Sequence, residues 1–468
     1  MKKILNLVFV SALGGVLTLG AYKLFLEKPQ VVYEHPQENE LEDVQANFVD
    51  SSNYVAELTD FTEASSKTLD AVVHVKNRSI YTPQVTMQDM FYGRSQGQPR
   101  VQIGSGSGVI VSSDGYIITN NHVINGANEI EIVLNDKKTY TAELIGTDAS
   151  SDIALVKVDA TDLPYVTFGD SDNVKVGEWV LAVGNPFNLT STVTAGIISA
   201  KGRDLANKNN KIESYLQTDA VVNPGNSGGA LVNTHGELIG INTMITSTTG
   251  SYIGYSFAVP SNIAKKVIED IMEYGNVQRA FIGINYKELN GANYKDFNVS
   301  KTEGVIITNV LAESGASKAG VKENDIIIKA NNVKISTFAD LNGFLSTKRP
   351  EDVVDFTIVR NGNEKVIPVK LYKNVTTTVN QLGLNLEDLK PSELKKYNLK
   401  QGVKISNVNN KRLVEFGLKR GQVVLSINGQ KINNVNDVNY IMTSLSKNSR
   451  LQLEILNEDG VRERYNYK

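Results

Sequence analysis

The chain has 468 residues, 41% of them apolar, and a formal net charge of −3. That length exceeds one ordinary domain, and the weak negative charge gives no long-range attraction for nucleic acid or anionic lipid. The absence of cysteine excludes disulfides, thiol catalysis and thiolate-held metal, and leaves His35, His74, His122 and His235 as the only imidazoles.

Lys2 and Lys3 precede an uncharged, mostly apolar run from Ile4 to Tyr22, closed by Lys23. The run approaches the roughly 20 residues needed to cross a bilayer. It is longer than the usual apolar core of a signal peptide, and no clean small-x-small cleavage site follows. Residues 1–26 are therefore expected to be a membrane anchor, with a cleaved signal peptide as the alternative. Either places the rest of the chain outside the cytoplasm, because the lysines stay inside. Residues 27–50 carry Pro29, Pro36 and an acidic cluster, the composition of an extended tether.

From about Ala71 to Val259 short β-branched runs alternate with turn residues. Strands are predicted near Ala71–Val75, Gly108–Ser112, Gly115–Thr119, Glu129–Leu134, Ala154–Val158, Trp179–Val183 and Glu237–Asn242. No helical periodicity interrupts them, which argues for an all-β barrel or sandwich pair. Helical spacing starts with Ile263, Val267, Ile268 and Ile271, after Pro260 and a candidate N-cap, Ser261. Beyond Arg279 the chain repeats: Gly320–Ile358 lies on Gly417–Ile455 without a gap. Two modules of about 90 residues, far longer than a solenoid repeat, are expected.

Three residues suggest chemistry. Ser227 sits within Gly225-Asn226-Ser227-Gly228-Gly229, where small neighbours let a substrate backbone approach and several N–H groups converge. A glycine-rich hairpin turn has the same composition. Serine needs a base. His122 follows a predicted strand in Asn120-Asn121-His122-Val123, and Asp152 opens the strand Ile153–Val158. Either could be an ordinary polar turn residue. Their order, His122, Asp152, Ser227 within one β-rich region, is that of a chymotrypsin-type triad. Gly225-x-Ser227-x-Gly229 also fits a nucleophile elbow, but that fold requires the acid and histidine after the serine, and only His235 follows. No His-Glu-x-x-His occurs, so neither a metal nor another cofactor is expected.

At these residues the sequence resembles the HtrA (Deg) family of serine proteases. The similar segments are Gly104–Ile110, Thr119–Val123, Ser151–Lys157, Ala182–Phe187, Gln217–Ala220 and, most specifically, Asn223–Leu231. The resemblance implies a mainly β fold, a chymotrypsin-like double β-barrel followed by two α+β PDZ domains. It implies a protease domain over 51–275 and PDZ domains over 280–373 and 380–468. It implies His122 as general base, Asp152 as its orienter and Ser227 as nucleophile. The oxyanion hole would be formed at Gly225, Asn226 and Ser227, with Asn226 shaping the turn. Ile239–Thr243 and Ser256–Ala258 would border a pocket for small or medium aliphatic residues. PDZ modules take a C-terminal peptide as an added strand and hold its carboxylate on a short loop. That loop is expected at Phe281, Ile282, Gly283 and Ile284 in the first module and at Leu382, Gly383 and Leu384 in the second. The expected protein is an ATP-independent protease of the periplasm or cell envelope acting on unfolded or misfolded proteins. It would be a homotrimer or larger oligomer, assembled in part through the variable loop Ser79–Val101. A PDZ-mediated chaperone or scaffold and a regulatory protease for one signalling protein are the alternatives.

Overall fold

In the computed structural model the described residues are 2–25, 60–81, 100–186, 191–203, 214–223, 225–245, 254–291, 293–297, 301–379, 381–445 and 450–467. The expected tether 27–50 and most of the loop Ser79–Val101 lie outside them. The chain divides into two units, Met1–Thr59 and Asp60–Lys468. In the first, helix α1 (Lys2–Phe25) exposes Val8, Phe9, Val10, Leu13, Val16 and Leu17. Among the described residues no helix is both long and apolar enough to cross a membrane.

The second unit opens with α2 (Thr62–Leu69) and two closed barrels. The first barrel comprises β1 (Val72–Tyr81), β2 (Arg100–Ile110), β3 (Tyr116–Thr119), β4 (Glu129–Val133), β5 (Thr139–Asp148) and β6 (Ile153–Val158), in the order β1-β2-β3-β6-β5-β4. The second repeats that topology with β7 (Trp179–Gly184), β8 (Thr192–Arg203), β9 (Tyr215–Thr218), β10 (Ala230–Asn233), β11 (Leu238–Ile245) and β12 (Ser256–Pro260). Closure leaves no unpaired edge. Val72, Val109 and Ile118 of the first barrel share one apolar cluster with Leu181, Ile241 and Phe257 of the second, so the barrels are packed on each other.

Two local expectations are corrected. The β-rich stretch does contain a helix, the single turn α3 (Asn121–Ile124). Four residues are too few to show a helical period in the sequence. Helix α4 (Ser261–Tyr274) has Pro260, not Ser261, at its N-cap. The Ser261 hydroxyl is committed elsewhere, donating to the Gly169 carbonyl at 2.7 Å. Tertiary contact outweighs the capping preference here.

The first repeat contains β13 (Ala280–Phe281), β14 (Ile284–Glu288), β15 (Val305–Val310), α5 (Gly315–Ala319), β16 (Ile326–Ala330), β17 (Val333–Lys334), α6 (Phe338–Ser346), β18 (Val353–Arg360), β19 (Asn363–Lys370) and β20 (Tyr372–Lys373). Its main sheet runs β14-β15-β16-β18-β19, with β14 at the edge. The second contains β21 (Thr376–Val379), β22 (Leu384–Asp388), α7 (Pro391–Lys396), β23 (Val403–Val408), α8 (Lys411–Glu415), β24 (Val423–Ile427), β25 (Gln430–Lys431), α9 (Val435–Ser444), β26 (Leu451–Leu456) and β27 (Arg462–Tyr467). Its sheet runs β21-β22-β23-β24-β26-β27. The two modules differ at one edge: β21 covers the strand that corresponds to the exposed β14.

Candidate active site

Asp152 lies in the turn before β6, 3% exposed, with φ +56°. Asp148, at the end of β5, holds this turn by accepting the Ser151 N–H at 3.0 Å and the hydroxyls of Ser150 and Ser151. Burial pushes the Asp148 carboxyl up, but the adjacent Arg279 charge and the serine hydrogen bonds outweigh it and hold it below the usual range. The turn thus aims the Asp152 side chain inward. Its main-chain carbonyl accepts the Asn121 N–H and the Asn120 side-chain amide, which fixes the start of α3.

His122 is the second residue of α3. The Asp152 carboxylate grips it at two points: Oδ1 accepts its backbone N–H at 3.0 Å, and Oδ2 lies 2.7 Å from Nδ1. A third donor, the Thr243 hydroxyl of β11, reaches Oδ2 at 2.6 Å. A carboxylate so held fixes the ring plane and places the proton on Nδ1, leaving Nε2 as the acceptor.

Ser227 follows β9 in the loop that leads to β10. Its hydroxyl donates to the Thr243 carbonyl at 3.0 Å and not to His122. The loop is bound on both sides. The Gly228 N–H donates to the Asn242 carbonyl at 2.7 Å, and the Ser227 carbonyl accepts the Ser107 N–H at 2.8 Å. Gly228 has φ +85°, and a Cβ there would lie 2.1 Å from the Ser107 carbonyl, so only glycine fits. The N–H groups of Gly225 and Ser227 meet no acceptor among the described residues, whereas the Asn226 N–H is used within the turn, on the Asn223 carbonyl at 3.0 Å. Asn226 therefore shapes the loop rather than offering a donor. A cavity of about 410 Å³ is lined by His122, Gly225 and Ser227 and continues past Asn77, Ser79 and Gln102 of β1 and β2.

Sequence reasoning missed a buried chain behind this loop. The Ser107 hydroxyl, fully buried, donates to the Gly225 carbonyl at 2.7 Å and accepts the Asn185 N–H at 2.8 Å. The Asn185 carbonyl is in turn 2.8 Å from Nδ1 of His74. Burial holds the His74 imidazole below its usual range, so it stays neutral and donates from Nδ1. The available signal was a serine between two glycines of β2. Thr243 was expected only as a pocket border, since hydroxyl direction on β11 is not legible in a sequence. Ser256 and Ala258 are fully buried in β12, which pairs with β11.

At the first module's expected loop, Gly283 takes φ +88° between β13 and β14, and its carbonyl accepts the Leu311 N–H at 2.9 Å. The second is built alike, with Gly383 at φ +62° and its carbonyl accepting the Asn409 N–H at 2.7 Å.

Comparison with known proteins agrees with this architecture. A trypsin-like peptidase domain matches residues 106–241, and PDZ domains match 280–371 and 372–456. A probable periplasmic serine protease do/HhoA-like from Haemophilus influenzae is 38% identical over 431 residues, covering 88% of this chain and 92% of that protein. A probable periplasmic serine endoprotease DegP-like from Marinomonas sp. is 35% identical over 436 residues, covering 86% and 92%. Among solved structures, the HtrA-type protease AlgW with decapeptide is 33% identical with a TM-score of 0.52, covering 67% of this chain and 99% of that one. The double barrel with two PDZ modules is that of a trypsin-like serine endopeptidase. The chain belongs to the HtrA family, among its DegP-like members.

Proposed function

We propose that Ser227 is the nucleophile of this endopeptidase, His122 its general base and Asp152 the orienter of the base. The observation that carries the reading is the two-point hold of Asp152 on His122, beside a loop with two unclaimed N–H groups. To react, the Ser227 hydroxyl turns from the Thr243 carbonyl to Nε2 of His122. As Oγ attacks the scissile carbonyl, His122 takes its proton, and the Gly225 and Ser227 N–H groups receive the oxyanion, each donor contributing about 3 kcal/mol. His122 then gives the proton to the leaving amine. Water, deprotonated by His122, releases the acyl group from Ser227. Ser107 is a positioning residue: its hydroxyl holds the Gly225 carbonyl and so the direction of the oxyanion donors.

The substrates on this reading are unfolded or misfolded polypeptides, cut after small or medium aliphatic residues without ATP. The exposed edge of β14, with Phe281, Ile282, Gly283 and Ile284 at its start, captures C-terminal peptides by strand addition. The site of action is the periplasm, in keeping with the naming of its relatives as periplasmic proteases. The lysine-flanked apolar α1 supports attachment to the inner membrane, and assembly as a trimer or larger oligomer is the reading favoured by analogy with the family.

A fluorophosphonate probe tests the assignment. Stoichiometric labelling of Ser227, with parallel loss of cleavage of unfolded casein, is the expected result. A label on another serine, or full activity after labelling, would overturn it.

A further inference from the structure

The second module's peptide groove is already filled. β21 pairs antiparallel with β22 along its outer edge, Thr376 opposite Glu387 and Val379 opposite Leu384. Its last residue therefore lies at the Leu382-Gly383-Leu384 loop, where a bound peptide's C-terminus would lie. The Val379 carbonyl accepts the Leu382 N–H of that loop at 3.1 Å. The Val379 side chain is 5% exposed, in the core cluster that includes Val435 and Val438 of α9. Two residues earlier, the Thr377 hydroxyl bonds the Asn439 side chain, also on α9. β21 thus makes the strand, end-group and side-chain contacts of a C-terminal ligand. In the first module no strand among the described residues lies on the outer edge of the corresponding β14.

We infer that Thr376–Val379 is a built-in ligand of the second PDZ groove, which accepts a free C-terminal tail only when this strand leaves. The competing tail would end in an aliphatic residue, with a hydroxyl residue two positions before it. The inference rests on reading these modules as peptide binders. A strand tethered by a short loop acts at an effective concentration in the millimolar range, so where the strand's own intrinsic affinity is micromolar a free tail is weakened by about 1,000-fold.

The test uses the full chain and a dye-labelled Thr-Thr-Thr-Val peptide with a free carboxylate. Thr378→Cys with Asn385→Cys joins cross-strand partners in a chain that has no other cysteine, and locks β21 shut. The oxidised lock measures the first module alone. Val379→Asp opens the groove, and Thr377→Pro does so if that variant fails to fold. Opened chains should bind one additional peptide, at least about tenfold tighter than the second site of wild type. Amide exchange across 376–379 should be as slow as in β22. Fast exchange there would overturn self-occupancy itself. Slow exchange in wild type with no added peptide on the opened chains would instead overturn the peptide-binding reading, and the inference with it.

Discussion

At the scale of single residues, the candidate site depends on groups whose work is to hold others. Asp152 spends its carboxylate on two donors of His122 and on the Thr243 hydroxyl. Ser107 bonds the Ser227 and Gly225 carbonyls from its N–H and hydroxyl. Removing that hydroxyl leaves the buried Asn185 N–H and the Gly225 carbonyl each short of a partner, at about 1–3 kcal/mol. Part of that cost falls on the loop. Ser107→Ala is therefore expected to lower kcat about tenfold or more per titrated active site, with KM little changed. Affinity for a peptide boronate should weaken in proportion. A variant that loses only thermal stability, with unchanged kcat per titrated site, would make Ser107 purely structural. The residue pattern His122, Asp152, Ser227 was legible because chemistry constrains residue type and order. Thr243, Ser107 and His74 were not, because their partners lie on distant strands and a hydroxyl or a buried imidazole carries no local signature.

At the scale of elements, seven of the twelve barrel strands were legible from alternation of β-branched runs and turns, whereas β5, β8, β9, β10 and β12 were not. The observed limits depart from the predicted ones most of all in β1 and β2, which pair from Val72–Val109 to Tyr81–Arg100. That ribbon carries polar residues such as Asn77 and Gln102, which masked its length. The repeat was legible where the modules agree: β16 with β24 and α6 with α9. It concealed the point at which they part. Thr376-Thr377-Thr378-Val379 has the β-branched composition of a strand, yet it falls at the junction of two modules, where the periodicity of neither includes it. Composition can show that a segment prefers to be extended. Which edge it covers depends on the course of the chain between modules.

At the scale of the whole second unit, ion pairs join the protease domain to the first module, and Asp437 of the second module feels the same charges. Arg279, in the segment leading to β13, pairs with Asp148 at 2.5 Å, at the turn that presents Asp152. Arg349, following α6, reaches Asp270 of α4 at 2.7 Å, and Asp270 also pairs with Lys266. Asp437 of α9 completes the set. Burial pushes its carboxyl up to about 6; the Arg279 charge opposes this and the Asp148 charge adds to it. A folded value above the unfolded one means that the group favours folding fully below about pH 4 and loses that contribution as pH rises to about 6. Asp437→Asn stays neutral and can still accept the Asn433 N–H. It should raise stability over wild type by about 1–3 kcal/mol at pH 7.5 and by almost nothing at pH 4. An equal difference at both pH values would refute the electrostatic origin. The proposed role of Ser227 is tested by the rate of casein cleavage by wild type and Ser227→Ala at equal concentration. A fall of at least about 10⁴-fold with an unchanged Tm is the expected result. A folded Ser227→Ala chain that cleaves at the wild-type rate would contradict it.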